Sequence, residues 1–163
     1  MSEPIRHALN RKDLAAARQR SALARLLGLA DADVLAIQYL AVAGRLTASR
    51  LGSLLQMTSG GSTALVQRLE REGCIVREPH PVDRRSSLLR LTPGIEHRAG
   101  AKLAPLVASI DAASAELSAA EREVVGRFLE RVAEEGERHA DELARQATAA
   151  VPAAGSPVPG LWA

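Results

Sequence analysis

Residues 47–92 read TASRLGSLLQMTSGGSTALVQRLEREGCIVREPHPVDRRSSLLRLT, and this stretch decides the fold. Thr47 is a good N-cap for a helix over Ala48–Gln56 that turns Leu51, Leu54 and Leu55 inward. Thr58 or Ser59 opens a second helix in which Leu65, Val66 and Leu69 recur at helical spacing. Gly73, just after Arg71-Glu72, suits the left-handed residue that ends a helix. Cys74-Ile75-Val76 is short and β-prone, and Ser87–Leu91 alternates weakly and returns as its partner. Between these strands lies a Pro-flanked turn, His80-Pro81-Val82-Asp83-Arg84-Arg85. The order is a helix-turn-helix followed by a β-hairpin wing, an arrangement suited to reading duplex DNA.

Outward from this core, Leu9–Leu29 reads as a long helix with a partial apolar stripe at Leu14, Ala17, Leu23, Leu26 and Leu27. Asp31 or Asp33 can cap the next helix, whose Val34, Leu35, Ile37, Tyr39, Leu40 and Val42 are expected to be mostly buried, and Gly44 ends it. On the other side, Thr92-Pro93-Gly94 opens a helix with Thr92 as N-cap and Pro93 where its missing N–H costs least. Ile95, Leu103, Leu106, Val107 and Ile110 line one broad side of it, and Pro105 predicts a kink or a break. Ser118-Ala119-Ala120-Glu121 matches a capping box. The helix beyond it carries Val124, Val125, Phe128, Leu129, Val132 and Leu143 to about Gln146. Residues 151–163, VPAAGSPVPGLWA, are Pro/Gly/Ala-rich and expected to be extended; whether Trp162 docks stays open.

The expected fold is mainly α with a small antiparallel β-hairpin, within a single domain over 1–163. The winged helix-turn-helix occupies 31–92, and 9–29 with 93–146 form a helical region whose apolar faces exceed what one small winged unit needs to cover. Those flanks are expected to pack together and against a second copy, giving a homodimer matched to a two-fold, pseudo-palindromic operator.

Composition narrows the function classes. Hydrophobic residues make up 47% of the chain, enough to build a core, so wholesale disorder is not expected. Aromatics are only 2%, namely Tyr39, Phe128 and Trp162, which leaves no stacking platform for single-strand or RNA readers. The net charge is +2 but unevenly spread. Residues 44–100 hold nine Arg, no Lys and five acids, whereas residues 101–163 hold six basic and ten acidic residues. A basic middle beside an acidic C-terminal third points to a localised polyanion-binding face. The opening MSEPIRHALNRKD has no apolar run, no stretch reaches transmembrane length, and one cysteine excludes an intrachain disulfide, so a cytoplasmic protein without membrane contact is expected.

The helix that starts at Thr58 is the expected reading element. Ser59 and Gly60 lie in its first turn, where small groups and backbone N–H donors suit a phosphate oxygen. Ser62, Thr63, Gln67 and Arg68 are further polar positions left once the core stripe is removed; Gln can pair with adenine and Arg with guanine in the major groove. The Gly60-Gly61 pair costs helix stability and admits two readings, a close backbone approach to DNA or a flexible helix start. Arg84 and Arg85, on a protruding hairpin, can reach a narrow minor groove. Chemistry of other kinds has little support. No G-x-S-x-G elbow or phosphate-binding G-x-x-x-x-G-K-[ST] is present, so no enzyme and no cofactor are expected. Glu135 and His139 have the spacing of a metal pair but lack further ligands. Cys74 is read as a small buried apolar residue in preference to an oxidant-sensing thiol.

The stretch resembles the MarR family of bacterial transcriptional regulators, over roughly residues 31–98. Three pieces carry the resemblance: L-E-x-x-G at Leu69–Gly73 followed by a strand with Arg77, the wing sequence Asp83-Arg84-Arg85-Ser86, and L-T-P-G at Leu91–Gly94. The resemblance implies that Arg85 inserts into the minor groove while Asp83 holds it in position, and that Arg84 contacts a phosphate or makes a structural ion pair. It also implies a sequence-specific regulator, expected to be a repressor, and a small aromatic or phenolic effector between the dimerisation helices and the winged unit. Two rival readings stand beside it: a ligand-independent architectural DNA binder, and a helical protein-interaction module.

Overall fold

The computed structural model describes residues 3–83 and 86–150. It divides into two compact units, Met1–Val107 and Ala108–Ala163. The element order is α1 (Glu3–Leu27), α2 (Asp31–Ala43), β1 (Leu46–Thr47), α3 (Ala48–Leu54), α4 (Ser59–Arg71), β2 (Ile75–Pro79), β3 (Ser87–Leu91), α5 (Pro93–Ala115) and α6 (Ala119–Ala150).

Local chemistry sets most of these boundaries. The Thr47 side chain accepts from the Arg50 N–H at 3.1 Å and starts α3, and Thr58 accepts from the Gly61 N–H at 3.2 Å and starts α4. Each satisfies one of the orphan donors of a first turn. Helix α4 ends at Gly73, with φ +67°: the Gly73 N–H donates to Glu70 O and the Cys74 N–H to Leu69 O, which turns the chain directly into β2. Between α3 and α4 the tight break places Gln56 at φ 53°, an uncommon conformation for a residue with a Cβ. Ser118 and Glu121 exchange hydrogen bonds at the start of α6, Glu121 Oε2 accepting from the Ser118 N–H at 2.8 Å.

Four expectations change. Helix α1 begins at Glu3 and not near Leu9, because its first turns are exposed and carry no apolar stripe to mark them. Neither Asp31 nor Asp33 caps α2; Ala30 holds that position, and Asp33 reaches back from inside the first turn to accept from the Ala30 N–H at 3.1 Å. Val42, expected to be buried, is 91% exposed at the end of α2. Of the kink or break expected at Pro105, the break does not occur, and helix α5 runs on through it. The hairpin also gains a third strand: β1 pairs with β3 (Leu46 opposite Leu89), so the sheet order is β1-β3-β2, antiparallel throughout.

The core lies in the first unit. Leu40 from α2, Leu51 from α3, Leu65, Val66 and Leu69 from α4, and Leu89 and Leu91 from β3 are almost wholly removed from solvent. Ile95 at the start of α5 closes the same cluster. Each such side chain contributes on the order of 1.5–3 kcal/mol by leaving water. In the second unit α6 is amphipathic with its apolar face uncovered: Val125, Phe128 and Leu129 recur on one side and remain exposed. Among the described residues no single helix is long and apolar enough to cross a membrane.

Candidate nucleic-acid interface

Helices α3 and α4 approach closely because Gly52 has no side chain. A Cβ there would lie 2.6 Å from the Ser62 hydroxyl oxygen. Ser62 is turned inward, 7% exposed, and its hydroxyl donates to Ala48 O at 3.1 Å. Leu65, Val66 and Leu69 continue this inward face. The opposite side of α4 is left to solvent: Ser59, Gly60, Thr63, Ala64, Gln67 and Arg71 are all exposed. Spacings of three, four and seven residues along Gly60, Thr63, Ala64 and Gln67 put these on one stripe of small and polar groups. A bulky side chain would hold a duplex away; this stripe lets backbone and side chain both come near.

The predicted contact residues therefore separate into groups. Ser59, Gly60, Thr63 and Gln67 stand together on the exposed stripe. Ser62 is occupied with α3. Arg68, in the last turn, faces α2, where its Nε and Nη2 both bond the Asp33 carboxylate, the shortest contact being 2.6 Å. The Asp33 side chain is 2% exposed and that of Arg68 37%. The hydrogen bond with Asp33, reinforced by its charge, raises the Arg68 pKa above its ordinary value despite partial burial. Arg71, not singled out from the sequence, shares the exposed stripe with Gln67; its i+4 spacing from Gln67 is the signal that finds it.

The wing is bound to α4 by Arg77 on β2. Its guanidinium donates to both carboxylate oxygens of Glu70 on α4, at 2.8 and 3.3 Å, and to the Ser87 hydroxyl on β3 at 3.1 Å. Glu78 on β2 accepts from Arg90 on β3 at 2.7 Å and lies 3.2 Å from Arg45, which holds its carboxyl below the usual carboxylate range, with the Arg90 hydrogen bond the larger cause. At the tip, His80 Nδ1 accepts from the Val82 and Asp83 N–H groups at 3.3 and 3.0 Å, and Asp83 O accepts from both the N–H and the hydroxyl of Ser86. Arg84 and Arg85 lie outside the described residues, as does the tail with Trp162. Cys74 is 2% exposed; burial pushes its thiol pKa up, against an opposing effect of Arg98. No group of three or more metal-ligating side chains is found among the described residues.

A helix-turn-helix, a stripe of exposed small residues and an attached β-hairpin are thus one continuous body, and the MarR family model matches residues 27–86. This stretch of the chain is similar to the MarR family of winged helix-turn-helix transcriptional regulators. Over 64 residues the chain is 44% identical to YcgE, an HTH-type transcriptional regulator of Bacillus subtilis (strain 168). That match takes in 39% of the chain and 42% of YcgE, so the chain spans less than half the length of this curated relative. Among solved structures, a mutant MepR from a multidrug-resistant S. aureus clinical isolate has a TM-score of 0.68 at 18% identity, covering 83% of this chain and 99% of MepR. A mutant MarR from E. coli complexed with operator DNA has a TM-score of 0.50 at 21% identity, covering 80% of this chain and 94% of that one. At these identities the two structures bear on the fold.

Proposed function

We propose that this chain is a homodimeric, sequence-specific duplex-DNA-binding protein that represses transcription from the cytoplasm and is not an enzyme. The observation that carries the reading is the solvent-facing stripe of α4, where Ser59, Gly60, Thr63 and Gln67 project from a helix locked to α3 on one side and to the wing on the other. A helix of 13 residues is about 20 Å long, a good length for lying in a major groove. Ser59 and Gly60 approach phosphate, Gln67 reads a base edge, and Arg71 adds a phosphate contact at the far end of the stripe. Arg84 and Arg85 follow Asp83 on the wing, and Arg85 enters the minor groove. The E. coli relative solved with operator DNA supports the choice of partner.

Dimerisation follows from the apolar surface of the flanking helices. Leu106, Val107 and Ile110 on α5 and Val125, Phe128 and Leu129 on α6 are exposed. Rows of this kind mark association surfaces. In this proposal 31–92 is the DNA-reading region of one domain, 9–29 and 93–146 build the dimer, and a small effector acts by favouring one spacing of the two reading helices over the other.

Selection of bound sequences from random duplex DNA tests the function. An inverted repeat with half-sites one helical turn apart, bound with an affinity that falls steeply with salt, is the expected result. Binding with no sequence preference would replace it with the architectural reading, and no salt-sensitive binding at all would end it.

A further inference from the structure

We infer that Arg68, although polar and on the reading helix, is a positioning residue that sets the attitude of α4 through Asp33 and does not itself read bases. The inference rests on the DNA-binding reading above and concerns how that reading is achieved. Three observations carry it. First, the guanidinium is engaged edge-on: Nε lies 3.1 Å from each Asp33 oxygen and Nη2 2.6 Å from Oδ1. The Nε–Nη2 edge, one of the two forks with which a guanidinium can pair with guanine, is taken by Asp33. Second, Arg68 stands in the last turn of α4, at the opposite end from Ser59 and Gly60. Its side of the helix faces α2, off the exposed stripe that carries Ser59, Gly60, Thr63 and Gln67. Third, Asp33 is itself fixed, since it also accepts from the Ala30 N–H at the junction of α1 and α2. The Leu27 carbonyl at the same junction accepts from Arg98 of α5 at 3.1 Å. Arg68 thereby ties α4 to a point already held from two sides.

The physical need is plain. The inward face of α4 is Leu65, Val66 and Leu69, and apolar contact alone leaves a helix some freedom to roll and tilt. A planar fork on a buried carboxylate fixes both angle and plane. From Ser59 to Arg68 the axis runs about 13 Å, so a tilt of ~5° at the anchor moves the reading end by ~1 Å, enough to disturb hydrogen bonds in a groove. A buried ion pair adds little net stability over apolar residues of the same shape, so definite geometry is what the pair contributes.

The test uses the full-length protein, the duplex selected as above and a scrambled duplex of equal length, with affinities read by fluorescence anisotropy. The variants are Asp33→Asn, Arg68→Lys and the double variant Asp33→Asn/Arg68→Gln, each confirmed folded at the assay temperature by circular dichroism. Each single change is expected to lower affinity for the selected duplex about tenfold while scrambled-duplex affinity holds, and the double variant to be no worse than either single. Simple loss of folded protein would lower both affinities together. The salt dependence is expected to stay as in the wild type, and repeated selection with Arg68→Lys to return the same sequence. The inference is overturned if Asp33→Asn binds like the wild type, if Arg68→Lys relaxes preference at a single base pair, or if its salt slope drops by about one, as for a lost phosphate contact. Arg68→Lys alone decides the matter where Asp33→Asn does not fold. A wild-type chain that binds no duplex would remove the DNA reading itself and this inference with it. Binding intact in both wild type and Asp33→Asn removes the inference alone.

Discussion

Gly52 of α3 faces Ser62 of α4 so closely that a Cβ on Gly52 would come within 2.9 Å of the Ser62 Cβ. Backbone and helix, not a flexible side-chain tip, would have to move. Gly52→Ala is therefore expected to destabilise the protein by about 1–3 kcal/mol, the scale of overpacking in a close-fitted core. Chemical denaturation measures it, and adding Ser62→Gly should restore part of the loss. Equal stability of Gly52→Ala and wild type would show that the two helices have slack.

The same pair marks where reading the sequence stops. The caps at Thr47, Thr58 and Ser118 and the reversal at Gly73 are legible because each is a local event, an oxygen and an N–H within a few residues or one glycine at positive φ. The inward turn of Ser62 is not local: it depends on Gly52, ten residues earlier, having no side chain. The partnership of Asp33 and Arg68 spans 35 positions, and nothing in the spacing of either announces the other. Strand β1 is two residues long, too short to display an alternation. The exposed stripe of α4 was legible by subtraction, and subtraction cannot separate a polar side chain facing solvent from one facing another helix.

Gly60 presents the opposite case to Gly52. A Cβ there would meet nothing within 4 Å, and its φ does not lie in the left-handed region. The fold has no use for this glycine. Gly60→Ala is expected to raise stability by up to about 1 kcal/mol, less than an interior helix site would give because it lies in the first turn. If the backbone closes on a phosphate, the same change lowers operator affinity. Thermal melting and a DNA titration on one protein sample supply both signs; a rise in both quantities would rule out the close approach.

Arg85→Ala is expected to weaken operator binding by tenfold or more, on the order of 1–3 kcal/mol for a lost groove contact, with the melting temperature and oligomeric state unchanged. His80→Ala acts on the same element indirectly. It removes the acceptor for the Val82 and Asp83 N–H groups and should lower affinity less than Arg85→Ala does. An Arg85→Ala protein that titrates its operator at moderate salt like the wild type would take the wing out of the interface.

Acid should loosen the β2–β3 pair. The Glu78 pKa is lowered, first by the Arg90 hydrogen bond and then by the charges of Arg45 and Arg90, against an opposing effect of desolvation. A carboxylate with a depressed folded pKa contributes stability that is complete above its unfolded value, about 4.3 for Glu, and that disappears as pH falls through the folded value. The melting temperature of Glu78→Gln should therefore lie below that of the wild type at pH 7 and converge on it toward pH 3. Parallel curves for the two proteins would show that the ion pair does not contribute.

The uncovered side of α6 gives the last expectation. Val125, Phe128, Leu129 and Val132 follow the i, i+3, i+4, i+7 rule of a face meant to be buried, yet Val125, Phe128 and Leu129 remain exposed in the isolated chain. Ion pairs of Glu123 with Arg127, Glu135 with Arg138 and Glu142 with Arg145 lie along the same helix, so α6 is already stabilised along its length without a partner. A charge placed among the apolar residues then acts on association and leaves the helix itself formed. Phe128→Lys is expected to convert dimer to monomer in sedimentation at micromolar concentration, with helical circular dichroism retained. Operator affinity should fall in step, since one half-site offers a single reading helix and wing. A Phe128→Lys protein that sediments as a dimer would move the interface to another face.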